Sequence, residues 1–184
     1  MKGKKRKTAL RTIRLSEEID DLLELDAQEQ NISTNALIAK IMTRYVEWER
    51  VVEKLEVVSF SNEFLTAILN EVSDEKLREI ASQLVVRQIK NQTMWEFGKA
   101  DFDTVLKTFT LRVRYGWRSH ISVENREDGN SVITLHHKWG HKGIVFFRSF
   151  FDSFIRGELR TQPTIDITDT IMTVSYTKPM QRTP

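Results

Sequence analysis

The sequence contains no cysteine, which excludes disulfides, thiolate zinc sites, iron–sulfur clusters and thiol nucleophiles together and agrees with a reducing compartment. No apolar run approaches the ~20 residues that cross a bilayer, and no apolar signal core follows the basic start, so no membrane is expected as a partner and the cytoplasm is the expected location. A Gly-rich phosphate loop and a nucleophile elbow are also missing. The scattered Ser, His and Asp residues carry no recognisable catalytic spacing, so no enzyme is expected.

What is there is the balance of a globular chain: 184 residues, 40% hydrophobic and 29% charged, enough for one ordinary domain or two small ones. The net charge is only +2, but it is unevenly spread. Lys2, Lys4, Lys5, Arg6, Lys7, Arg11 and Arg14 crowd the start without an acid among them. Such a cluster suits a polyanion, or is simply a solvated end.

Thr12-Ile13-Arg14-Leu15 alternates polar and apolar, the period of a short strand with one buried face. Ile13 and Leu15 would point inward; Leu10, Thr12 and Arg14 would point outward. Ser16 then reads as an N-cap, with Glu17 and Glu18 in the first turn, where their charges suit the helix dipole. Ile19, Leu22, Leu23 and Ala27 form the apolar stripe of that helix, which should end near Asn31, a residue tolerant of left-handed backbone. Ser33 or Thr34 can cap a second helix, whose stripe is Leu37, Ile38, Ile41, Met42 and Tyr45, running on through Trp48 towards Leu55. One strand and two helices cannot bury these stripes or the strand edges alone, so the unit needs a partner.

With its strand, capped helix, Asn-Ile-Ser turn and Asn-Ala-Leu-Ile helix opening, the segment TIRLSEEIDDLLELDAQEQNISTNALIAKIMTRY resembles the ribbon-helix-helix family of the Arc and methionine-repressor type, over Leu10 to about Trp48. The resemblance implies a dimer whose paired strands enter the major groove of double-stranded DNA, with Leu10, Thr12 and Arg14 at the base-contacting positions. It also implies phosphate contacts from the opening of the second helix at Ser33, Thr34 and Asn35. Lys5, Arg6, Lys7 and Arg11 would add phosphate contacts from the basic start.

The expected organisation is α+β, with a DNA-binding domain over residues 1–52 and an α+β domain for effector binding or oligomerisation over residues 53–184. In the latter, Val57, Val58 and Phe60 suggest a first strand. Helices are expected near Asn62 to Val72, from Asp74 to about Trp95 and from Asp101 to about Tyr115, with core stripes Leu77, Ile80, Ala81, Leu84, Val85, Ile89 and Phe102, Val105, Leu106, Phe109, Val113. A hairpin turning at Glu127-Asp128-Gly129-Asn130 follows, then a helix from Gly143 to Ile155 rich in phenylalanine. The last element is a strand from Pro163 to Tyr176 whose apolar phase switches near Asp169, as at a bulge. The order suggests a ferredoxin-like sheet with extra helices in its first crossover, similar in outline to nickel-responsive repressors.

Two site candidates arise in the second domain. If Val123 lies opposite Leu135, His120 and His136 stand diagonally on one sheet face, and His141 at the following helix start makes a third ligand for a divalent metal. Alternatively, Lys138, His141 and Lys142 bind a small anion there. The combined expectation is a nucleoid-associated, DNA-binding transcriptional regulator, dimeric or tetrameric, whose second domain senses a small molecule or metal or drives assembly. An architectural or plasmid-partition protein, or an antitoxin-type interaction protein, is the alternative.

Overall fold

The computed structural model describes residues 9–55, 57–126, 129–168 and 170–178. The chain divides into two compact units, Met1–Val46 and Glu47–Pro184, where the sequence reading places its boundary at residues 52 and 53. Trp48, through which the second helix was expected to run on, and Val51 are buried side chains of the second unit. There the Trp48 ring lies so close to Gly116 that a Cβ at that glycine would stand 2.8 Å from it.

In the first unit, helix α1 spans Glu17–Glu29 and helix α2 spans Thr34–Arg44. Asn31 takes the left-handed conformation (φ 54°) that ends α1, and the Ile32 amide donates back to the Ala27 carbonyl at 3.0 Å. This is the closure an αL residue provides after a helix. Ser33 caps α2, its hydroxyl accepting from the Ala36 amide at 3.2 Å. Ser16 sits at the cap position of α1 with extended backbone but makes no side-chain cap bond. Residues 9–16 form no sheet ladder: a lone segment with no partner strand has nothing to pair with.

The second unit is a mixed helix and sheet assembly. A π-helical stretch, Tyr45–Glu49, leads into the short helix α3, Arg50–Val52. Helices α4 (Asn62–Glu71) and α5 (Asp74–Glu79) start at Ser61 and Ser73, each hydroxyl accepting a first-turn amide. Helix α5 continues through a π-helical stretch, Ile80–Val85, into α6 (Val86–Phe97), and α7 (Phe102–Leu111) follows behind an Asp101 cap. Strands β1 (His120–Asn125) and β2 (Asn130–His136), helix α8 (Gly140–Leu159), and strands β3 (Thr164–Ile167) and β4 (Ile171–Thr177) complete the chain.

The sheet is antiparallel throughout, in the order β1-β2-β4-β3. This corrects the ferredoxin-like expectation and the outline likeness to nickel-responsive repressors. Among the described residues no strand precedes β1, and Val57, Val58 and Phe60 are exposed loop residues. Two hairpins joined by one helix therefore replace the split βαβ arrangement. A second correction concerns the last strand, which is two strands paired with each other. The switch of apolar phase between Ile167 and Met172 marks the turn of a hairpin, and Asp169, where a bulge was expected, lies outside the described residues.

Helix α8 contacts strand β4 on one side and helices α4, α5 and α6 on the other, which is why it is apolar around much of its circumference. Phe147, Phe150, Phe151 and Phe154 are almost wholly buried. Phe150 stacks on Phe109 of α7 at 4.2 Å between centroids, and Phe154 stacks on Phe102 at 4.9 Å. Each such ring contributes about 1.5–3 kcal/mol through burial. The expected stripes of α5–α6 and α7 pack into the same core, led by Leu77, Ala81, Ile89, Val105 and Phe109, except Leu84, which is 38% exposed. On the sheet, Ile121, Ile133, Leu135, Met172 and Val174 face this core. Alternation puts His120, Ser122, Thr134, His136, Thr173 and Ser175 on the opposite face.

Candidate nucleic-acid interface

The first unit holds the residues expected to meet DNA. Leu10 is 90% exposed, and Thr12 and Arg14 are exposed as well. Arg11 is exposed, its guanidinium donating to the Leu10 carbonyl at 3.1 Å. Residues 9–15 carry two arginines and no acid. Lys5, Arg6 and Lys7 lie outside the described residues.

The two helix starts differ in charge. Glu17, Glu18 and Asp20 occupy the first turn of α1, whereas the first turn of α2 has no acidic side chain. The opening amides of α2 at Thr34 and Asn35, unpaired as in any first helical turn, therefore keep their positive field. Ser33 and Asn35 are exposed and Thr34 is half-buried. These three residues line one side of a cleft of about 530 Å³ completed by Ile13, Leu15, Ile38, Asp20 and Glu24. Asp20 and Glu24 place negative charge in the same cleft, which opposes the pull of those amides on an anion.

Little of this unit is covered. Only Ala27 and Leu37 are buried among its described apolar residues, while Ile13, Ile19, Leu22, Leu25, Ile41, Met42 and Tyr45 are all exposed. Leu22, the most open of the helical stripe, is 59% exposed. Apart from the buried Ala27 and Leu37 and the half-buried Leu23 and Ile38, the stripes read as core from their spacing are exposed in a single chain.

The candidates in the second unit are arranged differently from expectation. Strand register places His120 directly opposite His136, and Val123 opposite Ile133 rather than Leu135. The two imidazole centroids are 5.6 Å apart. His141 does not join them: its Nε2 lies 2.9 Å from the Asp74 Oδ2. Among the described residues no group of three or more histidines or carboxylates is gathered for a metal ion. His137 points inward and is 2% exposed.

The proposed anion cluster is already satisfied by a carboxylate of the chain. Lys142 Nζ donates to the Asp74 Oδ1 at 2.7 Å and to the Val72 carbonyl at 2.6 Å. Together with His141 it holds the Asp74 carboxyl down to about 2. Lys138 is exposed. Asp74 is the residue that sequence reasoning missed here: its only local signal is that of a first-turn acid behind the Ser73 cap, and its partners are 67 and 68 residues away.

No family model matches the chain, and neither does any curated protein or solved structure. No helix among the described residues is long and apolar enough to cross a membrane.

Proposed function

We propose that this chain is a dimeric, sequence-specific DNA-binding transcriptional regulator whose first unit is a ribbon-helix-helix domain and whose second unit senses a ligand or drives assembly. The observation that carries the reading is the bare apolar surface of the first unit behind an exposed, acid-free segment. Ile13, Leu22, Ile41 and Met42 are each more than two-fifths exposed, and at about 25 cal/mol per Å² such surface drives association strongly. A second copy pairing its residues 10–15 antiparallel with these would satisfy the unpaired backbone and cover Ile13 and Leu15. The same pairing turns Leu10, Thr12 and Arg14 outward as a two-stranded ribbon of the width a major groove admits. Arg14 is the base reader of choice, since a guanidinium donates two parallel bonds to guanine O6 and N7. Ser33, Thr34 and Asn35 then serve as phosphate anchors on each flank.

Fluorescence anisotropy on DNA from upstream of the protein's own gene and on random DNA, across a salt series, tests this. Preferential binding upstream that Arg14→Ala weakens by about 1–3 kcal/mol supports strand-mediated base reading. Equal and salt-steep binding to both DNAs favours an architectural role, and no binding at low salt refutes DNA recognition altogether.

A further inference from the structure

The chain has four histidines, and the fold uses two of them. His137 is sealed in the core and His141 is tied to Asp74. The remaining two stand as directly opposed cross-strand partners on β1 and β2, both exposed, on the sheet face away from α8. Neither ring has a hydrogen-bond partner among the described residues; the two rings meet edge to face, with 5.6 Å between centroids and 73° between planes.

That separation has a chemical meaning. A metal–nitrogen bond of about 2.0–2.1 Å plus roughly 1.1 Å from nitrogen to ring centre puts each centroid about 3.2 Å from a shared ion. Two rings meeting at about 110–120° around the ion then have centroids about 5.2–5.6 Å apart. The β-register holds both Cα atoms at fixed separation, so little ordering is left for binding to impose.

We propose that His120 and His136 form a two-imidazole site for a borderline transition-metal dication of the Cu²⁺, Ni²⁺ and Zn²⁺ class, with water completing its coordination. The ligand set selects against Mg²⁺ and Ca²⁺, which take oxygen donors. No third histidine or carboxylate is gathered beside the pair among the described residues, so the site is open. Its ion clips edge strand β1 to β2. The site stands independently of DNA binding and can be tested without DNA.

The test is titration calorimetry of the full, untagged chain with Cu²⁺, Ni²⁺, Zn²⁺ and Mg²⁺, with copper electron paramagnetic resonance as a second readout. One saturable ion per chain, tightest for Cu²⁺ and absent for Mg²⁺, is expected, with nitrogen splittings from two imidazoles. His120→Ala and His136→Ala should each weaken binding by at least about tenfold, while His141→Ala leaves it unchanged. Both replaced side chains are exposed, so metal-free melting curves should match wild type and exclude misfolding as the cause. Absence of saturable binding, or affinity unchanged in either of the first two variants, overturns the proposal. So does equal loss in His141→Ala.

Discussion

Two of the three glycines in helix α8, Gly143 and Gly157, should respond in opposite ways to replacement by alanine. A helix-interior Gly→Ala change gains up to about 1 kcal/mol from backbone entropy alone. At Gly157 a Cβ meets nothing within 4 Å, so Gly157→Ala should stabilise by about 0.5–1 kcal/mol. At Gly143 the added Cβ would stand 2.4 Å from the His137 Nδ1, 2.8 Å from its Cε1 and 3.0 Å from the Trp139 Cβ. The imidazole has little room to retreat: it is 2% exposed and packs 5.5 Å from the fully buried Phe147 ring, centroid to centroid. Overpacking of this kind costs about 1–3 kcal/mol, which exceeds the propensity gain. The net expectation for Gly143→Ala is a loss of about 1 kcal/mol, or a Tm lower by about 2–4 °C. Urea unfolding followed by circular dichroism on both variants measures the contrast. In a His137→Ala background, where the obstructing ring is gone, Gly143→Ala should become neutral or stabilising, giving a coupling of about 1–2 kcal/mol between the two sites. A Gly143→Ala variant as stabilised as Gly157→Ala would refute the reasoning, because it would mean that the ring does not occupy that space.

Further outcomes follow from the same geometry. Burial pushes the His137 imidazole below its ordinary 6.5, and both ring nitrogens lack partners. The unfolded chain therefore takes up this proton first as pH falls below about 6.5, so stability drops there by at most ~1.4 kcal/mol per pH unit; His137→Leu should flatten that slope in urea midpoints between pH 7 and 5. The Asp74 carboxyl works in the other sense. Held at about 2 against an ordinary 3.8 by Lys142 and His141, it contributes its stability fully above about pH 4 and loses it towards pH 2. Asp74→Asn should lower the melting temperature at neutral pH while shallowing the acid limb, and an unchanged melting temperature at pH 7 counts against the clamp. In the first unit, Met42→Glu places a charge in the bare stripe and should make the chain monomeric in sedimentation velocity; a persisting dimer would mean that this stripe is not the contact.

Much of the secondary structure was legible because it is written locally. Caps at Ser33, Ser61, Ser73 and Asp101 and the left-handed Asn31 bracket helices close to their expected bounds. The Phe102–Val113 stripe and the phenylalanines of α8 are core, as three-and-four spacing implies. Where local pattern had two meanings, it misled. The apolar run at Val57 to Phe60 has the look of a strand, but no neighbour offers it a ladder. The phase switch after Ile167 reads equally as a bulge or a turn, and only pairing with β4 distinguishes them.

The candidate sites divide along the same line. The acid-free opening of α2 follows from capping, which involves neighbours a few residues apart; Leu10, Thr12 and Arg14 are exposed, but so are Ile13 and Leu15, which the strand period placed inward. The hairpin register differs by two residues from the expected one, which makes His120 and His136 direct partners instead of diagonal neighbours; side-chain alternation does not separate two registers with the same inward face, and the turn is what fixes the choice. The engagement of His141 and Lys142 by Asp74 depends on α8 lying across the start of α5. The sequence by itself determined where helices begin and which faces are apolar, because backbone hydrogen bonding and side-chain periodicity are local. Only the tertiary structure decided strand order, register and which charges meet, because those are settled by packing between segments tens of residues apart.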